Sequence, residues 1–152
     1  MKNLFKSFGI IAFVAIIGFA PAAIAHAQSA GGESLYIVFP ADTASLKAVT
    51  QEQAIHNSQT LTRVAQLLLN NPQYRILIDG HANPVKRTSK EEREELKPLS
   101  VQRAEAAANI LVEQYKVDRR RLIITSAGGR FPSVTNDPSL NRRVNFFVIA
   151  PQ

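Results

Sequence analysis

The chain has 152 residues, 45% hydrophobic and 20% charged, which fits one ordinary globular domain. It contains no Cys, so disulfides, thiolate metal sites, Cys nucleophiles and lipid attachment through an N-terminal Cys are excluded. The formal net charge of +6 permits attraction to an anionic polymer or membrane surface without identifying one.

Residues 1–27 read as a signal peptide rather than as fold. Lys2 and Lys6 form a basic start, Phe8 to Phe19 an apolar core, and Pro21 breaks it. Ala25-His26-Ala27 places small residues at the two positions a leader peptidase reads, so cleavage is expected after Ala27. An uncleaved anchor is the other reading, but a membrane span needs roughly 20 apolar residues and this run is shorter. The mature protein is therefore expected outside the cytoplasm, in a bacterial periplasm.

Residues 28–34 form a Gly/Ser-rich flexible linker, and residues 35–150 form the domain. Leu35 to Phe39 is a β-branched and aromatic run ended by Pro40, a strand covered on both faces or sitting centrally. From Leu46 to Asn70 the period becomes helical, with Ala54, Leu61, Val64 and Leu68 on one stripe and Gln51, Gln53, Asn57 and Gln59 on other faces. Asn70-Asn71-Pro72 stops this helix. His56 lacks a second ligand at metal spacing and reads as a boundary residue. Arg75 to Gly80 is the second strand, running into His81. Arg87 to Lys97 is charged throughout, a solvated loop or one helical turn. Ser100 is expected to N-cap the second helix, whose buried stripe is Ala104, Ala107, Ala108, Leu111 and Tyr115. Leu122 to Thr125 is a third strand closed by Gly128-Gly129. A loop from Arg130 to Asn141 leads to the last strand, Val144 to Ile149. In that strand Val144, Phe146 and Val148 share one face.

The order β-α-β-α-β-β defines an α+β domain. Right-handed crossovers place both helices on one face of a four-stranded mixed sheet.

Little in this chain suits catalysis. Without the leader it retains two histidines, His56 and His81, and shows no Ser-His-acid spacing, Walker loop or GxGxxG. The Glu91–Glu95 cluster is contiguous and exposed, a poor setting for acid–base work. Nothing calls for a cofactor or metal. Arg119-Arg120-Arg121 is not interleaved with aromatics as nucleic-acid stacking surfaces require, and the leader argues against that partner. A binding site is better supported. With Ser100 as N-cap, Arg103 falls in the first helical turn, where a cation opposes the helix dipole by about 0.3–1 kcal/mol. Such an Arg either holds an anion together with free backbone N–H groups, or simply pairs with Glu94, Glu95 or solvent.

Four segments carry a resemblance: Gly80-His81-Ala82-Asn83, Leu99-Ser100-Val101-Gln102-Arg103-Ala104, Gly128-Gly129 with Pro132, and Asn141-Arg142-Arg143-Val144. In this order they are similar to the motifs of the OmpA-like (OmpA/MotB/Pal) peptidoglycan-associated domain family, over roughly Leu35 to Ile149. The resemblance implies non-covalent, non-enzymatic binding of the peptidoglycan stem peptide through its diamino acid. In the family, the Asp of Gly-His-Thr-Asp pairs with the ligand ammonium and the helix Arg with its carboxylate. The helix Arg maps onto Arg103. Arg142 or Arg143 completes the pocket, and His81 matches the family His in a mainly structural role.

Four departures stand out. Thr-Asp is replaced by Ala82-Asn83, Pro84 follows, Leu96 stands where the family has Asn, and the Asn83-to-Arg103 separation is longer than the family's. A neutral amide gives up charge assistance, a loss of about 1–2 kcal/mol. Three outcomes stay open: weak binding of ordinary wall, binding of a wall with a different or amidated diamino acid, or loss of wall binding. The Gly-His-Ala-Asn-Pro form resembles spirochaete members of the family. The leading expectation is a periplasmic wall-binding module associated with the cell wall or outer membrane, with other envelope proteins as possible partners. The alternative is an envelope protein-interaction scaffold with a degenerate pocket.

Overall fold

The computed structural model describes residues 34–83, 90–129 and 138–151. The expected signal peptide, the expected linker before Ser34, Pro84 and Pro132 lie outside the described residues. The elements are β1 (Tyr36–Val38), α1 (Gln51–Asn70), β2 (Arg75–His81), the short α2 (Lys90–Glu95), α3 (Lys97–Glu113), β3 (Leu122–Gly128) and β4 (Arg143–Ile149).

The four strands form one mixed sheet in the order β1-β4-β2-β3. β4 runs antiparallel to both β1 and β2, while β2 and β3 are parallel neighbours. The α+β layout is as expected. α1 and α3 pack on one face, where Leu61, Val64, Leu68, Ala104, Ala107, Ala108 and Leu111 meet Ile37, Phe39, Ile76, Ile78, Val144 and Phe146 in a single buried cluster. The alternating partners on β4 behave as the period-2 pattern requires: Val144 and Phe146 are buried, and Phe147 is 37% exposed.

Four local expectations are corrected. β1 is an edge strand, not a central one. Its apolar run survives at the edge because α1 covers the open side. Asn57 Nδ2 donates to Val38 O and Asn57 Oδ1 accepts from Val38 N, both at 2.9 Å, while His56 Nε2 contacts Tyr36 O at 3.0 Å. These side chains satisfy backbone groups that would otherwise invite another strand. Asn57 is accordingly 3% exposed rather than on a polar face.

The first helix begins at Gln51, not Leu46. Thr50 forms a capping box with Gln53, and Leu46–Ala48 is a separate 3-10 turn capped by Ser45. Ala54, three residues inside, is exposed instead of lying on the buried stripe.

α3 begins at Lys97, three residues before the expected cap, with Pro98 accommodated in its first turn. It ends at Glu113 as the chain turns through Lys116 at φ 60°. Tyr115 lies beyond the helix but packs against the core, and its hydroxyl meets Thr62 Oγ1 on α1 at 3.1 Å. α2 answers the charged stretch as a short, largely exposed turn.

β3 extends to Gly128 instead of stopping at Thr125.

Candidate functional site

Gly80 explains how a helix comes so close to the end of β2. A Cβ built there would lie 1.9 Å from the Ser100 carbonyl oxygen, so only glycine lets α3 approach. Ser100 is not a cap but a buried pin. Its Oγ donates to Lys97 O at 2.8 Å, accepts from Gly128 N at 3.2 Å and hydrogen-bonds Ser126 Oγ. It thereby joins α3 to the end of β3. The N-cap assignment failed because a Ser that bonds back to its own preceding turn looks the same in sequence as one that opens a helix.

With the helix starting at Lys97, Arg103 stands in the second turn and points inward. It is 0% exposed. Its Nη2 donates to Pro40 O at 2.9 Å, Nη1 to His81 O at 3.0 Å and Nε to Thr43 O at 3.0 Å. Its Cζ lies 5.6 Å from the centre of the Phe39 ring. These bonds tie the loop after β1 to the end of β2. Burial and, secondarily, the nearby Arg142 charge lower its pKa to about 10, and Asp42 acts in the opposite direction. The guanidinium therefore stays charged at neutral pH.

Arg142 is half-buried and donates from Nε to Phe39 O at 3.3 Å, next to the carbonyl that Arg103 holds. Neither guanidinium lies within ion-pair distance of a carboxylate among the described residues. Asn83, also half-buried, accepts at Oδ1 from Asn141 Nδ2 at 2.9 Å. Asn141 is 1% exposed and is the residue immediately before Arg142. Ala82 is buried, its N–H bonded to Gly128 O at 2.9 Å. Asn83, Ala82, Arg103 and Arg142 thus gather at one end of the sheet, with Asp42 exposed on the loop that Arg103 clamps.

The other two candidates turn elsewhere. The His81 imidazole lies against Asp79 Oδ2 at 3.0 Å and Asn145 Nδ2 at 3.1 Å, and its Nδ1 is buried without a hydrogen-bond partner among the described residues. Arg143 donates to Asn145 Oδ1 at 3.1 Å and to Leu140 O at 2.7 Å, and burial lowers its pKa despite Asp79. Only the His81 carbonyl reaches the Arg103 cluster. Of the Arg142-Arg143 pair, Arg142 is the one placed beside Arg103. Asn141 was the residue missed. Its signal was its place in the Asn-Arg-Arg motif, which drew attention only to the arginines.

The OmpA family model matches residues 38–145. The chain belongs to the OmpA family. Among solved structures it is similar to the peptidoglycan-associated lipoprotein of Burkholderia pseudomallei, at 25% identity and TM-score 0.58, covering 75% of this chain and 89% of that one. The OmpA-like domain of FopA1 from Francisella tularensis shares the fold at 21% identity and TM-score 0.61, covering 76% and 71%. An outer membrane protein of Borrelia burgdorferi does so at 24% identity and TM-score 0.51, covering 75% and 84%. No curated protein sequence matches the chain.

Proposed function

We propose that this chain is a non-catalytic peptidoglycan-binding module of the bacterial periplasm, exported by its leader, which holds the stem-peptide diamino acid at the Asn83–Arg103–Arg142 end of the sheet. One observation carries the reading: two guanidiniums with no carboxylate within ion-pair distance among the described residues stand behind a half-buried amide, on a fold whose Burkholderia relative is named as peptidoglycan-associated. Arg142 offers N–H groups near the surface. Arg103 lies fully enclosed behind it, holding the loop and adding its field, which favours a ligand carboxylate.

Arg142→Ala tests this without dismantling the fold, since the side-chain hydrogen bond it loses, to Phe39 O at 3.3 Å, is long and its backbone bond to Phe39 N–H is kept. A charged hydrogen bond contributes about 1.5–3 kcal/mol, so affinity for purified sacculi should fall roughly ten- to a hundred-fold in co-sedimentation while the melting temperature barely moves. Equal sedimentation of wild type and variant would sink the assignment. The envelope-scaffold reading draws on the full enclosure of Arg103, which a purely structural arginine would also show. It requires that no sacculus binding be seen at all.

A further inference from the structure

The orientation of one amide decides what the wall-binding end can read, and the inference drawn from it rests on the wall-binding reading above. Asn83 has an oxygen that accepts hydrogen bonds and an NH2 that donates them. Its oxygen is engaged by Nδ2 of Asn141, a nearly fully buried donor, at 2.9 Å. The half-buried Asn83 is left to offer its NH2 to a ligand. Arg142 and Arg103 are donors only, and both are charged. Asp42 is the carboxylate felt by Arg103, but it is exposed and screened by water. An ammonium entering between Asn83 and Arg142 would meet amide hydrogens and two like charges. A carboxylate or carbonyl oxygen there would meet the donors of Asn83 and Arg142.

We propose that this site recognises its stem peptide through oxygen acceptors alone, a carboxylate against Arg142 in the field of the enclosed Arg103 and a second carbonyl or carboxylate oxygen against Asn83 Nδ2, and does not read a free ammonium. The ligand class is a peptide presenting two clustered oxygen groups, with the amine of its diamino acid free to be acylated or cross-linked. Asn83 is then a specificity-determining residue: an acid there would favour the free amine, and the amide removes that preference.

The test is calorimetric titration of the full chain with a diaminopimelate stem tripeptide and with the same tripeptide acetylated on its side-chain amine. The two should bind wild type within about two-fold of each other. In Asn83→Asp the free-amine peptide should gain about five- to thirty-fold over the acetylated one. If acetylation weakens wild-type binding by about ten-fold or more while sacculi still sediment the protein, the inference is overturned and the wall-binding reading stands. Asp42→Asn would then show whether that carboxylate reads the amine. If neither peptide nor sacculi bind, the wall-binding reading fails and takes this inference with it.

Discussion

Arg119 and Arg120 meet carboxylates on the protein surface, whereas Arg103 and Arg142 donate to backbone carbonyls, with no carboxylate within ion-pair distance among the described residues. Arg119 pairs with Glu105 at 3.1 Å and Arg120 with Asp118 at 2.6 Å, which holds the Asp118 carboxyl at about 2. Arg121 closes the end of α1 by donating to Asn71 O and Tyr74 O, where the helix dipole is negative. The most basic run in the sequence is thus tied up locally, and a lone helical Arg and one member of a later pair form the electropositive end. Density of like charge along the chain is a poor guide to where charge remains available. What matters is whether carboxylates lie within reach.

Replacing Arg103 should separate the two groups most sharply. Arg103→Ala would leave three backbone carbonyls without their donor and a cavity behind the loop, destabilising the fold by about 3–5 kcal/mol in chemical denaturation. Arg103→Lys keeps the charge but lacks the planar fork, so it should fall between wild type and Ala. A denaturation midpoint for Arg103→Ala matching wild type would show that the clamp is not needed.

Gly80→Ala should come next. The added methyl meets the Ser100 carbonyl, and overpacking of this kind costs about 1–3 kcal/mol. Because α3 must shift, sacculus binding should weaken although neither Asn83 nor Arg142 is altered. A stability loss with unchanged binding would mean that Arg103 need not be held in register with Asn83.

Arg119→Ala should do least. Both partners are nearly half exposed, and such pairs are worth under about 1 kcal/mol. Sedimentation with sacculi should be unchanged. A loss of binding comparable to that of Arg142→Ala would reverse the comparison.

Much of this was legible in the sequence. The period-2 and helical patterns located all four strands and both long helices, and the motifs around Gly80, Arg103 and Arg142 come together at one end of the sheet. What was not legible depended on tertiary partners. Nothing local says that Asn57 would be drawn under the edge of β1, since its two bonds are to a residue 19 positions away. The same holds for Ser100, whose partners Ser126 and Gly128 lie on β3. Misplacing that cap put Arg103 at the helix start with free N–H groups instead of inside the core. Asn141 was overlooked because an amide's role is set by which of its atoms meets a partner, and composition carries no trace of that.

The central claim is best tested by following side-chain amide and guanidinium N–H signals of the isotope-labelled protein by NMR as a soluble stem tripeptide is added. Saturable shifts should appear at the Asn83 amide and at Nε–H of Arg142 and Arg103, with Arg119, Arg120 and Arg121 unmoved. Shifts confined to Arg119–Arg121, or none at saturating peptide, would contradict the account.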